Sequence, residues 1–281
     1  EAPGSPSVGP QGGARSRSRA RRDGLIASLS TVVVFAVLGY LVTSSPGWPK
    51  VQETFFNWDE AVAAWPTLIK AFVLNIKIFL VAEFFILILS LLIALGRGLR
   101  APVALPIRII CTVYVDFFRG VPTILVILLL GFGVPALQLK GVTNSPVVWG
   151  TVALILSYTA YVAEVYRAGI ESIHPSQRAA ARSLGLSSIQ TTRYVVLPQA
   201  VRRVVPPLLN DFIALQKETA LVSLLGPIEV LRAAQINASS NFNYTAYVVA
   251  ALLFVAITLP LTRLTDWLQR RDSKRRMAGA M

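Results

Sequence analysis

Residues 171–198 read ESIHPSQRAAARSLGLSSIQTTRYVVLP, a polar stretch between long apolar segments and the largest internal loop of the chain. Pro175 suits the first turn of a helix, because the N–H it lacks would be unpaired there. Gly185 suits the end of that helix, where the chain turns left-handed. Between them Gln177, Ala181 and Leu184 fall at i, i+4, i+7 and share a face, while Arg178 and Arg182 lie at i, i+4 on another. Two like charges at that spacing destabilise an isolated helix by about 0.2–0.5 kcal/mol, which makes sense if the helix docks on something acidic. Ala179, Ala180 and Ser183 are small and permit close approach. The stretch reads either as a short docking helix offered to a partner or as an amphipathic connector between two spans.

Outward from this loop, six apolar segments are long enough to cross a bilayer, at roughly 25–43, 66–95, 108–135, 147–167, 206–225 and 244–268, given about 20 residues for a ~30 Å core. Of the 281 residues, 54% are hydrophobic and 15% charged, against about a quarter charged in a soluble domain. This predicts an all-α, polytopic membrane helix bundle of about six transmembrane helices. The second segment, at about 30 residues, would be ~45 Å long as a helix and must tilt or project beyond the core. The first is too long for the apolar region of a signal peptide, and no clear small-residue cleavage site follows it, so it reads as a span. Residues 1–24, rich in Gly, Ser, Pro and Arg, are expected to form a disordered basic tail, close to lipid headgroups. Residues 25–65 then form an extra N-terminal span and an outer segment whose Trp48, Phe55, Phe56, Trp58 and Trp65 suit the headgroup layer. Residues 66–268 hold the main membrane domain, with its polar loop at 168–205, and 269–281 form a second basic tail.

The net charge is +13, but the basic residues cluster at span ends, which is an orientation signal and not a nucleic-acid surface. Twenty Lys and Arg fall on one side: the N-terminal tail, the turn with Arg97, Arg100 and Arg108, the central loop and the C-terminal end. Only Lys50, Lys140 and Arg232 fall on the other. Both termini and the central loop are therefore expected in the cytoplasm. Cys111 is the only cysteine and His174 the only histidine, which excludes an internal disulfide, a thiolate cluster or a multi-His metal site within one chain. No GxxxxGK[ST], GxSxG or HExxH pattern occurs. Neither a catalytic residue nor a metal site is expected, and any ATP hydrolysis belongs to another chain.

Charges inside spans are expensive, so each is a functional hypothesis by default. Asn210, Asp211, Ala214, Lys217 and Glu218 follow the i, i+3, i+4, i+7 pattern of one helix face in the fifth span. That face is either a substrate route, since a zwitterion needs a cation and an anion nearby, or an ion-pair network holding the bundle. Glu83, near the middle of the second span, pairs with another helix or stays protonated through desolvation; it is a further candidate for the path. Asp116 and Arg119 can pair locally at i, i+3. Gly120 and Pro122 beside them permit a break in the third span, tolerated only where protein or water satisfies the backbone. Glu164 and Arg167 repeat the i, i+3 arrangement and read as an anchor for the polar loop.

Ala179-Ala180-Ala181, three residues, Gly185, nine residues, Val195, one residue, Leu197-Pro198 resembles the EAA loop of ABC importer permeases. Phe118-Arg119-Gly120-Val121-Pro122 resembles the FRGTP motif of the branch that imports polar amino acids, and residues 66–268 as a whole resemble that branch, a glutamate-system permease in particular. The resemblance implies the type I ABC importer permease fold in a bacterial inner membrane, with glutamate or glutamine as the favoured solute. It implies that Gln177, Arg178, Ala179, Ala180, Ala181, Arg182, Leu184 and Gly185 form the coupling surface, and that Pro198 is structural. The implied partners are an ABC ATPase dimer that carries ATP and Mg, a second permease subunit, identical or homologous, and an extracytoplasmic amino-acid-binding protein. The signature Glu of the motif is Ala179 here, and the Gly usual before Gln177 is Ser176. Either Arg178 or Arg182 compensates, or a different second permease carries the complete signature.

A competing reading is an ion- or proton-coupled secondary amino-acid transporter with Glu83, Asp211 or Glu218 as a relay. Inverted repeats would support it, and none is visible. Uptake that depends on ATP and persists without an ion gradient separates the two.

Overall fold

The computed structural model describes residues 12–99 and 101–278, the side chains of 12–22 and 272–278 excepted. Arg100 and residues 1–11 and 279–281, which the sequence reading places in cytoplasmic segments, lie outside the described residues. The helices are α1 (Gly12–Thr43), α2 (Trp48–Phe55), α3 (Trp58–Gly98), α4 (Leu105–Gly120), α5 (Thr123–Ala136) and α6 (Pro146–Glu171). They continue with α7 (Pro175–Ser183), α8 (Ser188–Thr191), α9 (Leu197–Glu218), α10 (Val230–Asn241) and α11 (Thr245–Ala278). No strand occurs among the described residues. From Gly12 the expected disordered tail is instead helical: its Ala and Arg residues are good helix formers, and the run leads directly into the apolar part of α1. The C-terminal tail is likewise helical as far as Ala278.

Among the described residues four helices are long and apolar enough to cross a membrane, or up to six spans if each of two bent helix pairs counts as one. The first bend, 101°, falls between α4 and α5 at Val121-Pro122, where the sequence predicts a break. The second, 54°, separates the helical stretch Ser188–Leu225 from α10. Gly226, at φ +102°, turns the chain there, in a region other residues avoid.

The compact body begins at Phe55 and not at residue 66. Its first helix starts where Asn57 accepts from the amides of Asp59 and Glu60, and those two acids complement the helix dipole. Eight residues ahead of the expected span boundary are thereby drawn into α3, and Ala64 is already fully packed. Helix α6 is the centre of the bundle. Its Ala153, Leu154, Tyr158 and Val162 pack with Phe79, Ala82 and Ile86 of α3, Ile127 of α5 and Leu215 of α9. Close approach depends on small residues: a methyl group on Gly169 would collide with Val204, and one on Gly131 with Leu225. A second core joins Leu68, Ala71 and Phe72 of α3 to Ala233 and Ala234 of α10 and Val249 and Ala250 of α11.

Between the two cores lies a buried polar network. Glu229, with no exposed surface, caps α10 by accepting from the amides of Leu231 (3.0 Å) and Arg232 (2.8 Å). Asn75 of α3 donates to Glu229 (2.9 Å) and to the Thr219 hydroxyl (3.1 Å), and accepts from the Val230 amide (3.1 Å). Thr219 donates to the Gln216 carbonyl, and Thr258 of α11 to the Gln216 side chain. One asparagine thus fastens both sides of the 54° bend to α3.

Asn75→Leu should orphan the Val230 amide, take one of its three N–H donors from the buried Glu229 carboxylate and lower stability by about 1–3 kcal/mol. The Asn75→Leu, Glu229→Leu pair should cost less than the sum of its single substitutions. Melting of the purified protein in detergent reads both; additive losses would show that the contact between them contributes nothing.

Candidate functional site

The loop after α6 is built as a rigid projection. The imidazole Nδ1 of His174 accepts from the Ser176 amide (3.2 Å) and caps α7, with Pro175 in the first turn. At the other end Gly185 sits at φ +85°. Its amide donates to the Arg182 carbonyl (3.0 Å), and the Leu186 amide donates to the Ala181 carbonyl (3.3 Å). This is the paired closure of a left-handed C-terminal cap, so both ends fall where the sequence places them. Ala181 is buried, with Ile173 and Thr191 nearby in sequence also buried. Gln177, Ala179, Ala180, Arg182 and Gly185 are exposed, and Leu184 is 83% exposed.

Two expectations for this loop are corrected. Gln177, Ala181 and Leu184 do not present one surface: Ala181 points inward, and Leu184 has left the helix as its cap. Arg178 is not offered outward beside Arg182. Its Nη2 donates to the Ile170 carbonyl (3.1 Å), and Arg203 donates to the Ser172 carbonyl. The last carbonyls of α6 have no partner within their helix, and two guanidinium groups supply one. The loop is thereby tied to the end of α6.

Glu164 anchors the same end, and more widely than the i, i+3 reading implies. Arg97 of α3 donates to it at 2.7 Å, Arg167 pairs with it closely, and Arg119 of α4 lies 3.9 Å away. Arg167 also reaches Glu171 (3.2 Å). Arg119 therefore faces α6 and not Asp116, which has no ion pair among the described residues. Gly120 ends α4, Pro122 precedes α5, and Pro198 lies in the first turn of α9.

The polar residues of α9 divide into two stripes. Asp211, Ala214 and Glu218 are half-buried and face the bundle, whereas Asn210 and Lys217 are exposed on the flank. The single face read from the sequence is wider than the part that turns inward. Glu83 of α3 lies close enough to Asp211 for their charges to interact. Glu218 interacts with the hydroxyls of Tyr158 and Thr123 and with the charge of Lys217. One carboxylate oxygen of Asp211 and one of Glu218 are buried without a hydrogen-bond partner among the described residues. Four helices thus bring three carboxylates and two hydroxyls together, bordered by one ammonium group. Such a cluster suits a polar solute with hydrogen-bond donors. Sequence reading missed Tyr158 and Thr123 because hydroxyl groups in apolar spans carry no charge signal. It missed Glu229 as well, because glutamate is not among the residues that usually mark a helix start.

Residues 103–275 match the model of a family described as binding-protein-dependent transport system inner membrane component. The probable amino-acid permease protein YxeN of Bacillus subtilis (strain 168) is 32% identical over 219 residues, 78% of this chain and 96% of that protein. The probable glutamine ABC transporter permease protein GlnM of the same strain is 34% identical over 179 residues, 63% of this chain and 81% of its own length. Among solved structures, a crystal structure of an amino acid ABC transporter with histidines superposes with a TM-score of 0.69 at 32% identity, covering 76% of this chain and 98% of that one.

Gly185→Val should open the α7 cap at a cost of about 1–3 kcal/mol, because a β-branched residue is strained at positive φ. Hydrogen exchange at the Leu186 amide should accelerate about tenfold or more, while amides in α6 keep their protection. Unchanged exchange at Leu186 would mean that the glycine is not what closes the helix.

Proposed function

On the premise that this chain belongs to the binding-protein-dependent transport system inner membrane components and is a membrane-embedded amino-acid ABC importer permease, we propose that α7 is its contact with the ATPase and that the α3–α6–α9 carboxylate cluster lines its substrate path. The observation that carries the first half is the fastening of α7: capped at both ends and tied by Arg178 and Arg203 to the end of α6. A push on a loose loop would be lost, whereas a push on this one reaches the central helix. With α7 on the cytoplasmic side, as the Lys and Arg asymmetry indicates, closure of an ATPase dimer shifts α7 and α6. A packed bundle converts such a shift into a change of gate, because its packing is bistable and not continuously deformable. Gln177, Ala179, Ala180, Arg182 and Leu184 form the contact. Ala179, which lacks the carboxylate usual there, leaves the acidic contribution to a second, different permease subunit. An extracytoplasmic binding protein delivers the solute.

The solute is a polar amino acid, with glutamine ahead of glutamate. Glu83, Asp211 and Glu218 repel a second side-chain carboxylate, and Lys217 lies on the exposed flank of the cluster. The α-ammonium group and side-chain amide of glutamine supply donors for the unpartnered carboxylate oxygens, while Lys217 faces the α-carboxylate. The same excess of carboxylates gives one observation in favour of a second reading, a cationic amino acid.

Removal of residues 177–184 should leave the protein inserted and abolish ATP-driven uptake in proteoliposomes with its ATPase and no ion gradient; normal uptake by the deleted form would sink the coupling assignment. Lys217→Met should abolish uptake without loss of assembly, and adding Glu218→Gln should not restore it. Full recovery in the double variant would show that Lys217 only neutralises Glu218. In competition, unlabelled glutamine should block uptake at lower concentration than glutamate.

A further inference from the structure

Where α4 begins, a cleft of about 350 Å³ opens between Arg97 of α3, Arg108 and Ile109 of α4, and Arg167 and Glu171 of α6. Its charges do not balance. Arg97 and Arg167 share Glu164, and Arg167 also holds Glu171. Arg108 is exposed and has no ion pair among the described residues. Arg119 also lies 3.9 Å from Glu164, so four guanidinium groups stand against two carboxylates and the surroundings of the cleft carry an excess of positive charge. From the cleft an apolar ridge runs along α4 through Leu105, Ile109, Val113 and Phe117, all four more than 40% exposed. Four-residue spacing keeps them on nearly one line. The ridge is ~18 Å long at 1.5 Å per residue, close to the ~15 Å depth of one leaflet in a ~30 Å core. It ends in a second, apolar groove of about 580 Å³ at the α4–α5 break, lined by Phe117, Phe118, Leu125 and Leu129.

We propose that this face of α4 holds one anionic phospholipid, its phosphodiester on Arg108 in the cleft and one acyl chain along the ridge into the groove. The length of the ridge fits a chain that starts at headgroup depth, and the exposed Arg108, without an ion pair among the described residues, supplies the charge that one phosphodiester needs. Selectivity comes from the headgroup. Lipid tails are as apolar as leucine, so the ridge positions a chain without distinguishing one lipid from another. One arginine near the membrane surface contributes ~1 kcal/mol toward an anionic lipid, about a fivefold preference. The bound chain would fill the inside of the 101° bend and hold α4 against α6 beside the Glu164 node.

The test uses the full-length protein in nanodiscs of phosphatidylcholine with a minor share of phosphatidylglycerol, with retained lipids counted by native mass spectrometry. The wild type should retain phosphatidylglycerol about fivefold over its share of the disc. Arg108→Gln should lose that preference at an unchanged melting temperature, and Arg108→Lys should keep most of it. Val113→Trp, which blocks the ridge and leaves the cleft, should lower retention of the lipid. Equal retention by wild type and Arg108→Gln would overturn the site. Displacement of the lipid by excess inorganic phosphate would also overturn it, since the cleft would then be a site for free anions. A photo-crosslinker at Ile109 should label lipid; capture of a second permease chain instead would show that this face is a protein interface.

Discussion

A helix that bends inside a bilayer must find partners for the backbone groups it frees, because the hydrocarbon core supplies no water. This chain bends two of its spans, and the second bend depends on Asn75. That side chain receives the Val230 amide and donates to Glu229 and Thr219, so three elements around the bend are held by one amide group. Glu229 then closes the start of α10. The arrangement is stable because its acceptors and donors match: a buried carboxylate with three N–H donors offsets a desolvation cost that a lone one could not. The bend in turn places Val222 and Leu225 against α5 and α6, where Gly131 and Gly150 leave room for them.

Helix α6 joins the two ends of the molecule. At one end its final carbonyls are taken by Arg178 and Arg203 and its Glu164 by arginines from α3 and from α6 itself. Deeper in the bundle its Tyr158 faces the Glu218 carboxylate of α9. The loop, the ion-pair node and the polar cluster are therefore not separate sites, since a displacement of α6 moves all three. The position of Ala181 follows from the same constraint. Fastening α7 from below turns that residue inward and leaves only one side of a short helix for a partner.

Two departures between sequence pattern and structure have a common cause. Periodicity assigns Asn210, Asp211, Ala214, Lys217 and Glu218 to one face, but a face of that width spans more of the helix than one neighbour can cover. The packing of α9 against α3 and α6 decides which part turns inward. Likewise the i, i+3 spacing of Asp116 and Arg119 permits a local pair, yet a carboxylate on α6 already flanked by arginines outcompetes an exposed Asp116. Local spacing states which contacts are allowed, and competition with distant residues states which are made.

The sequence alone determined the membrane class, the helical content, the order of the spans, the break at Val121-Pro122 and both ends of α7. Each of these rests on a property of the chain itself: apolar length against bilayer thickness, the missing N–H of proline, the freedom of glycine at positive φ. Tertiary structure decided the rest: that Arg178 serves α6, that Glu164 gathers three arginines, that Asn75 meets Glu229 across 154 positions of chain, and that Tyr158 and Thr123 join the carboxylates. These contacts depend on which helices become neighbours, and that choice is made by the packing of small residues and the need to satisfy buried polar groups, neither of which has a period along the chain.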